Sequence, residues 1–158
     1  MSNIVAAEAG THAPAAPQWV VFVCSGRRFG FPLEHVREIL TPAPFTRLPG
    51  AGPAVCGLIG LRGRLLTVLD AGVILGAAPA ADTPDHRVLV LESGGRRVGA
   101  AVDGIVAVTR APLDAPGGEA ADRSDAGDRG IAVLGTVVLD SGPFLALDPV
   151  TLTDGLLQ

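Results

Sequence analysis

The chain repeats itself, and that constrains its fold more than any single motif. VFVCSGRRFGF at 21–31 returns as VLVLESGGRRVGA at 88–100: an apolar run, a glycine turn, Arg-Arg, an apolar residue and a glycine. GRLLTVLD at 63–70 returns as GPFLALD at 142–148. The order is kept, and the difference in spacing falls near a polar stretch at 111–130. Short apolar runs that stop at glycine are strand-sized, so each copy reads as a set of hairpins. A β unit of about 60–70 residues is marginal alone, so the two copies must share a core. The repeat predicts an all-β domain of two pseudo-equivalent subdomains over 19–152. Residues 1–18, with little bulk, read as a flexible leader, and 153–158 as a short tail.

Composition says what fills that core and which chemistries are absent. Hydrophobic residues make up 48% of the 158, yet only five Phe and one Trp are aromatic. The core must therefore be Val, Leu, Ile and Ala. All twelve positive charges are Arg; without lysine, Schiff-base and pyridoxal chemistry and the phosphate-loop lysine are excluded. With no Tyr and a net charge of −4, the chain has neither the stacking platforms nor the basic footprint of a nucleic-acid binder. Cys24 and Cys56 are too few for a disulfide framework and fit a reducing compartment. No apolar run reaches the length of a membrane span. These features predict a soluble, cytoplasmic, acidic domain with no direct membrane insertion.

Along the chain, Trp19–Cys24 is a strand that stops at Ser25–Gly26, and Arg28–Pro32 follows as the other arm of a hairpin. In Pro32–Leu40 the period changes. Leu33, Val36 and Leu40 fall at i, i+3 and i+7, with Glu34, Arg37 and Glu38 off the stripe, which predicts an amphipathic helix ended by Pro42 and Pro44. Val55–Leu61 and Leu65–Leu69 are strands on either side of Gly63, and Val88–Glu92 is another. Val98–Thr109 reads as one long strand bent at Gly104. Residues 111–130 read as a solvated loop or a frayed helix. Ile131–Leu139 and Pro143–Leu147 resume the strands.

Several constellations invite a chemical reading. Val68-Leu69-Asp70-Ala71-Gly72 and Val138-Leu139-Asp140-Ser141-Gly142 look like two apolar-apolar-Asp-X-Gly turns, and two carboxylates sharing a proton is aspartic-protease chemistry. Against this small aspartic hydrolase, Ala71 lacks the hydroxyl that pattern wants, and the repeat aligns Asp70 with Asp148 instead. His35 and Glu38 could be two metal ligands, but a site needs three or four and nothing supplies the rest. Cys24 and Cys56 lie in apolar strands without a CxxC or an activating base. The Arg-Arg pairs at 27–28 and 96–97 read as exposed hairpin tips. Gly57, Gly60 and Gly63 flank a strand rather than open a helix, so they are no phosphate loop. Arg62, just before the Gly63 turn, is a candidate two-pronged partner for a carboxylate, and Glu38 is the nearest in sequence. The alternative, a surface Arg and a surface Glu that never meet, stays open.

These segments resemble the CheW family, the coupling proteins of bacterial chemosensory arrays. The resemblance rests on FGFPLEHVREIL (29–40), RLPG and GLIGLRGRLLTVLDAGVILG within 47–76, GGRRVGAAVDGIVAV (94–108) and a final FLALD, in order from about Trp19 to Leu152. It implies two five-stranded SH3-like β-barrels packed on each other, with one or two short helices. It also implies a scaffold rather than an enzyme, with no catalytic residues, cofactor or metal. The implied partners are the cytoplasmic tips of methyl-accepting chemotaxis receptors and the regulatory domain of the histidine kinase CheA, at the inner face of the cytoplasmic membrane. By the family pattern, Val36 and Glu38 in the first block, Gly57, Arg62 and Gly63 in the central block, and Val108 closing the third would lie on or support the binding surfaces. An apolar groove between the barrels would take a receptor helix. Gly60 stands where the family usually has Asn, Thr67 where Pro is common, and Ala71-Gly72 replaces Leu-Arg. These departures admit an alternative, a coupling protein of a non-flagellar pathway such as twitching or surface sensing.

Overall fold

The computed structural model describes residues 15–42, 44–116 and 131–155. Most of the expected leader and polar loop, and the end of the tail, lie outside these residues. Three hairpins close through the same device: both central turn residues have positive φ, at Ser25–Gly26 (51° and 77°), Arg62–Gly63 (50° and 79°) and Gly94–Gly95 (59° and 80°). That is the type I′ turn, whose twist matches that of the strands it joins. The hairpins are β1 (Gln18–Cys24) with β2 (Arg27–Pro32), β4 (Val55–Leu61) with β5 (Arg64–Asp70), and β6 (Arg87–Ser93) with β7 (Arg96–Val102). A fourth pairs β10 (Ala132–Leu139) with β11 (Gly142–Asp148). Edge strands β3 (Val36–Leu40) and β8 (Gly104–Arg110), the two-residue β9 (Ala115–Pro116) and short helices α1 (Ala71–Ile74) and α2 (Val150–Gly155) complete the chain.

The strands form two sheets. The first runs β8-β1-β2-β11-β10-β9 and the second β3-β6-β7-β5-β4. Strand for strand they are the same arrangement: β2 lies parallel to β11 through Phe29 and Leu145, as β7 lies parallel to β5 through Gly99 and Val68. Even β9 has its counterpart, the isolated bridge from Thr46 to Leu58 on β4. Each sheet is thus the five-stranded SH3-like unit plus one short bridging segment.

The two copies in the sequence are not the two sheets. The first copy gives its opening hairpin, β1–β2, to the first sheet and β3, β4 and β5 to the second. The second copy gives β6–β7 to the second sheet and β8 to β11 to the first. The copies have exchanged their first hairpins.

This exchange explains the unbroken apolar runs. β1 and β6 are covered on both faces, so neither alternates with polar residues. Trp19 and Val21 point into the first barrel with Val137 and Phe144, while Val20, Phe22 and Cys24 face the space between the sheets. Val88 and Val90 point into the second barrel with Ile59, Leu66 and Val68, while Leu89 and Leu91 face the same shared space. That shared core is the largest, and it is closed: Val20, Phe22, Phe31, Leu89, Leu91 and Leu147 are all fully buried. Helix α2 adds Leu152, also fully buried, to that core.

Two expectations are corrected. Pro32–Leu40 is not a helix: a single 3-10 turn over Leu33–His35 leads into strand β3. Nine residues are too few to hold a helix without tertiary support, and the open edge of β6 pairs with Val36, Glu38, Ile39 and Leu40 instead. Val98–Thr109 is not one bent strand but β7 and β8, which belong to different sheets. The crossing is at Asp103, whose N–H donates to the Val23 carbonyl and whose side chain accepts from the Ser25 N–H at 2.8 Å.

Candidate functional site

β3 and β4 are opposite edges of the second sheet. Glu38 on β3 and Arg62 in the β4–β5 turn nevertheless meet, because the sheet curls until its edges face each other. The contact is two-pronged: Arg62 Nη1 donates to Glu38 Oε1, and Nη2 donates to Oε2 at 2.9 Å. This geometry is the strong form of the Arg–carboxylate bond. The hydrogen bond from Arg62, with its charge and those of Arg97 and Arg37 adding, holds the Glu38 carboxyl below the usual range. The same partner raises the Arg62 guanidinium. The pairing anticipated from sequence is present, although Glu38 sits on a strand rather than at the end of a helix.

The pair stands at the mouth of a cavity of about 230 Å³ lined by Glu34, Val36, Arg37, Glu38, Arg62, Val90 and Arg97. Behind it Glu92 Oε1 lies 2.8 Å from Arg37 Nε and 3.6 Å from Arg97 Nε. Val36 packs against the shared core and Gly63 completes the Arg62 turn. Gly57, upstream on β4, supports the strand: it sits at φ 145°, where β4 shifts register, and a Cβ there would lie 2.5 Å from the Thr46 carbonyl oxygen. Val108 lies in the other sheet, on β8, with 53% of its surface exposed. The structure thus gathers Val36, Glu38, Arg62 and Gly63 into one mouth, leaves Gly57 structural and places Val108 on a separate edge. Arg37, Glu92 and Arg97 are not site residues by the sequence reading, which has Arg37 on a polar helix face and Arg97 at an exposed hairpin tip. Aligning the two copies exposes one of them, since Glu92 falls where the first copy has the apolar Val23.

The other sequence candidates resolve into structural roles. Asp70 and Asp140 are on different sheets. Asp70 is buried at 3% exposure, and its oxygens accept from the N–H groups of Val73, Ala80 and Ala81. Asp148, its counterpart in the repeat, caps α2 through Val150 N–H. Asp140 is exposed in the β10–β11 turn. His35 donates through Nδ1 to the Glu92 carbonyl at 3.0 Å, and its Nε2 lies 3.6 Å from Glu34 rather than joining Glu38. Among the described residues no group of three or more His, Cys, Asp or Glu could hold a metal ion. Burial, before any charge effect, pushes the thiols of Cys24 and Cys56 up to about 12. The arginines at 27–28 are not free tips: Arg27 lies over the Phe29 ring and Arg28 donates to the Ser141 carbonyl at 2.9 Å. The expected groove does not run through the middle of the interface, where the facing sheets are packed. Exposed apolar side chains lie instead at Ile39, Leu65, Val106, Val108 and Val138.

Residues 18–155, which span both sheets and the charged mouth, match the family model of the CheW-like domain. The chain belongs to the CheW-like domain family. Protein PilI of Pseudomonas aeruginosa is 33% identical over 102 residues, 63% of this chain and 57% of that protein. The chemotaxis protein CheW of Rhizobium meliloti is 34% identical over 86 residues, 54% and 56% of the two chains. Protein FrzA of Myxococcus xanthus is 33% identical over 86 residues, 54% of each. The match takes in a little over half the length of each of these relatives. The crystal structure of the scaffolding protein TtCheW from Thermoanaerobacter tengcongensis superposes with a TM-score of 0.72, covering 84% of this chain and 88% of that one at 21% identity. It shares the fold. Within this CheW-like domain, Gly72 has a local reason: a Cβ there would meet the Ala78 carbonyl oxygen at 2.2 Å. Gly60 has open space around it and lies opposite Leu65, which is 74% exposed.

Proposed function

We propose that this protein is a non-enzymatic coupling scaffold of a chemosensory system. In this reading it holds the cytoplasmic tip of a methyl-accepting receptor against the regulatory domain of a CheA-type histidine kinase, beneath the cytoplasmic membrane. The observation that carries the reading is the family match over 18–155, which takes in the whole two-sheet unit. The mouth built by Val36, Glu38, Arg62 and Gly63 and the exposed β8 edge at Val108 are its binding surfaces, with Gly57 supporting the first. The Asp70 environment favours this over the hydrolase: a carboxylate held by three backbone donors has no free oxygen for a water, and its supposed partner lies on the other sheet.

Calorimetric titration of the full chain with the regulatory domain of a CheA-type kinase from the same genome tests the reading. Saturable binding that Arg62→Glu weakens is the expected result. Absence of binding to every such kinase of that genome, by protein shown to be folded, would overturn it. A second reading places the protein in a non-flagellar pathway. The relatives named PilI and FrzA, standing beside those named as chemotaxis proteins, favour it. Preference for one kinase over another in the same titration decides between the two.

A further inference from the structure

The repeat supplies an internal control for the charged mouth. The registers of β1–β2 and β6–β7 place Val23 on Glu92 and Arg28 on Arg97. β8 on β1 and β3 on β6 carry the same register shift, which places Val106 on Arg37 and Ala107 on Glu38. The first sheet therefore curls and pairs its strands with Val23, Val106 and Ala107 where the second has Glu92, Arg37 and Glu38. Forming this unit does not require those charges.

Their arrangement fits recognition. Arg62 has both terminal amines on Glu38. Arg37 and Arg97 instead form ion pairs with Glu92, their Nε atoms 2.8 and 3.6 Å from its Oε1, which accepts no hydrogen bond from the described residues. Those contacts draw both guanidiniums to one acid by charge and leave their N–H donors for a second carboxylate. Arg37 and Arg97 line the same cavity as Arg62, Glu34 and Glu38. Of the nearby acids, Glu38 and Glu92 are engaged, and Glu34 stands at the rim, 78% exposed, beside His35. Two guanidiniums gathered by one acid are already drawn together, so less side-chain freedom is lost when a carboxylate arrives.

We propose that Arg37 and Arg97, oriented by Glu92, form the receiving site for an aspartate or glutamate side chain of the protein partner that docks at this mouth. The proposal rests on the scaffold reading and adds the partner's chemistry to it. The test is calorimetry of the full chain against the kinase regulatory domain and against a receptor tip fragment. Five proteins are compared: wild type, Arg37→Ala/Arg97→Ala, each of its two single variants, and, matched in charge to the singles, Arg87→Ala at the opposite end of β6 as the control. Thermal unfolding of each verifies the fold. The double variant should raise Kd for one partner by about tenfold to a hundredfold, as expected for lost charge-assisted bonds. The control should leave Kd unchanged, and the gap should narrow at high salt. Should the double variant fold poorly, Glu92→Gln keeps the shape but releases both guanidiniums, and should weaken binding several-fold. An unchanged Kd in these variants, with Arg62→Glu still damaging, overturns the carboxylate site and leaves the scaffold standing. A wild-type chain that binds neither partner overturns both.

Discussion

Replacing Asp70 by Asn tests whether its carboxylate organises the end of the second sheet. Oδ1 accepts from Ala80 N–H at 2.8 Å and from Val73 N–H at 3.1 Å, and Oδ2 accepts from Ala81 N–H at 3.0 Å. One side chain thus ties the last residue of β5 to α1 and to the 3-10 turn over Ala80–Asp82. An amide has a single oxygen. If it serves Ala80 and Val73, its NH₂ faces the Ala81 N–H, donor against donor, in a site 3% exposed. One charge-assisted bond is lost, two become neutral, and a buried N–H is left without an acceptor. With charged-group bonds worth about 1.5–3 kcal/mol and an unsatisfied buried donor costing about 1–3 kcal/mol, the expected loss is about 2–4 kcal/mol. For a chain of this size that lowers Tm by about 5–15 °C. Asp148→Asn, which removes the charge from a single cap bond to Val150 N–H, should cost less, and exposed Asp140→Asn nothing measurable. The assay is urea unfolding followed by fluorescence of Trp19, the sole tryptophan, buried on β1. A loss below about 1 kcal/mol for Asp70→Asn, or a ranking with Asp140 above Asp70, would refute the argument.

Four further outcomes are expected. Glu38→Arg and Arg62→Glu should each weaken partner binding and the double swap restore part of it, strictly additive losses excluding the pair. Because Arg62 lowers the folded-state value of Glu38, the pair's stabilisation is complete above the ordinary glutamate value of 4.5 and is lost as pH falls through the lowered one. Glu38→Gln should flatten that part of the acid unfolding profile. Gly30→Ala and Gly99→Ala put a Cβ 2.5 Å from Phe144 Cε1 and 2.9 Å from Val88 Cγ1 inside the two barrels, so each should cost about 1–3 kcal/mol in urea unfolding; a neutral Gly99→Ala would show that the barrel interior yields. With both thiols pushed up to about 12, Cys24 and Cys56 should resist a disulfide reagent at pH 8 in the native protein and react on unfolding, and prompt native labelling of the buried Cys24 would contradict its environment.

The hairpins were legible in the sequence because each carries its own signal, an apolar run broken by residues that tolerate positive φ. Ser25–Gly26 and Gly94–Gly95 announce themselves locally, and the repeat pairs β5 with β11 without structural help. The β3 strand was not legible. Leu33, Val36 and Leu40 satisfy a helical period, and what decides against it is the open edge of β6, about fifty residues downstream in sequence. The crossing at Asp103 was half hidden for a related reason: Gly104 marks a bend, but VGAAV before Asp103 is apolar throughout because β7 is covered on both faces, and GIVAV after it looks like more of the same, so the change of sheet does not show in the period. Of the site, Arg62 and Glu38 were nameable as a pair, but their meeting depends on the curl that brings opposite edges together. Arg37 and Arg97 gave no signal, since an arginine on an edge strand and one of an Arg-Arg pair look like ordinary surface.

The hairpin exchange also bears on how such a domain can serve two partners. If each copy had folded on itself, the two barrels would meet only across an interface, and one could shift against the other. Here β1 and β6 are central strands of their own sheets, and both send alternate side chains into one closed core with Phe22, Leu89 and Leu91. Neither sheet is complete without both copies, so the charged mouth of the second sheet and the β8 edge of the first are held in a fixed relation by the least deformable part of the molecule. The repeat has meanwhile diverged where it faces out: Arg37, Glu38 and Glu92 against Val106, Ala107 and Val23. A shared interior with unlike mouths gives a domain two different faces at a set geometry. On the proposed scaffold reading, in which partners are positioned rather than transformed, that is a sufficient mechanism.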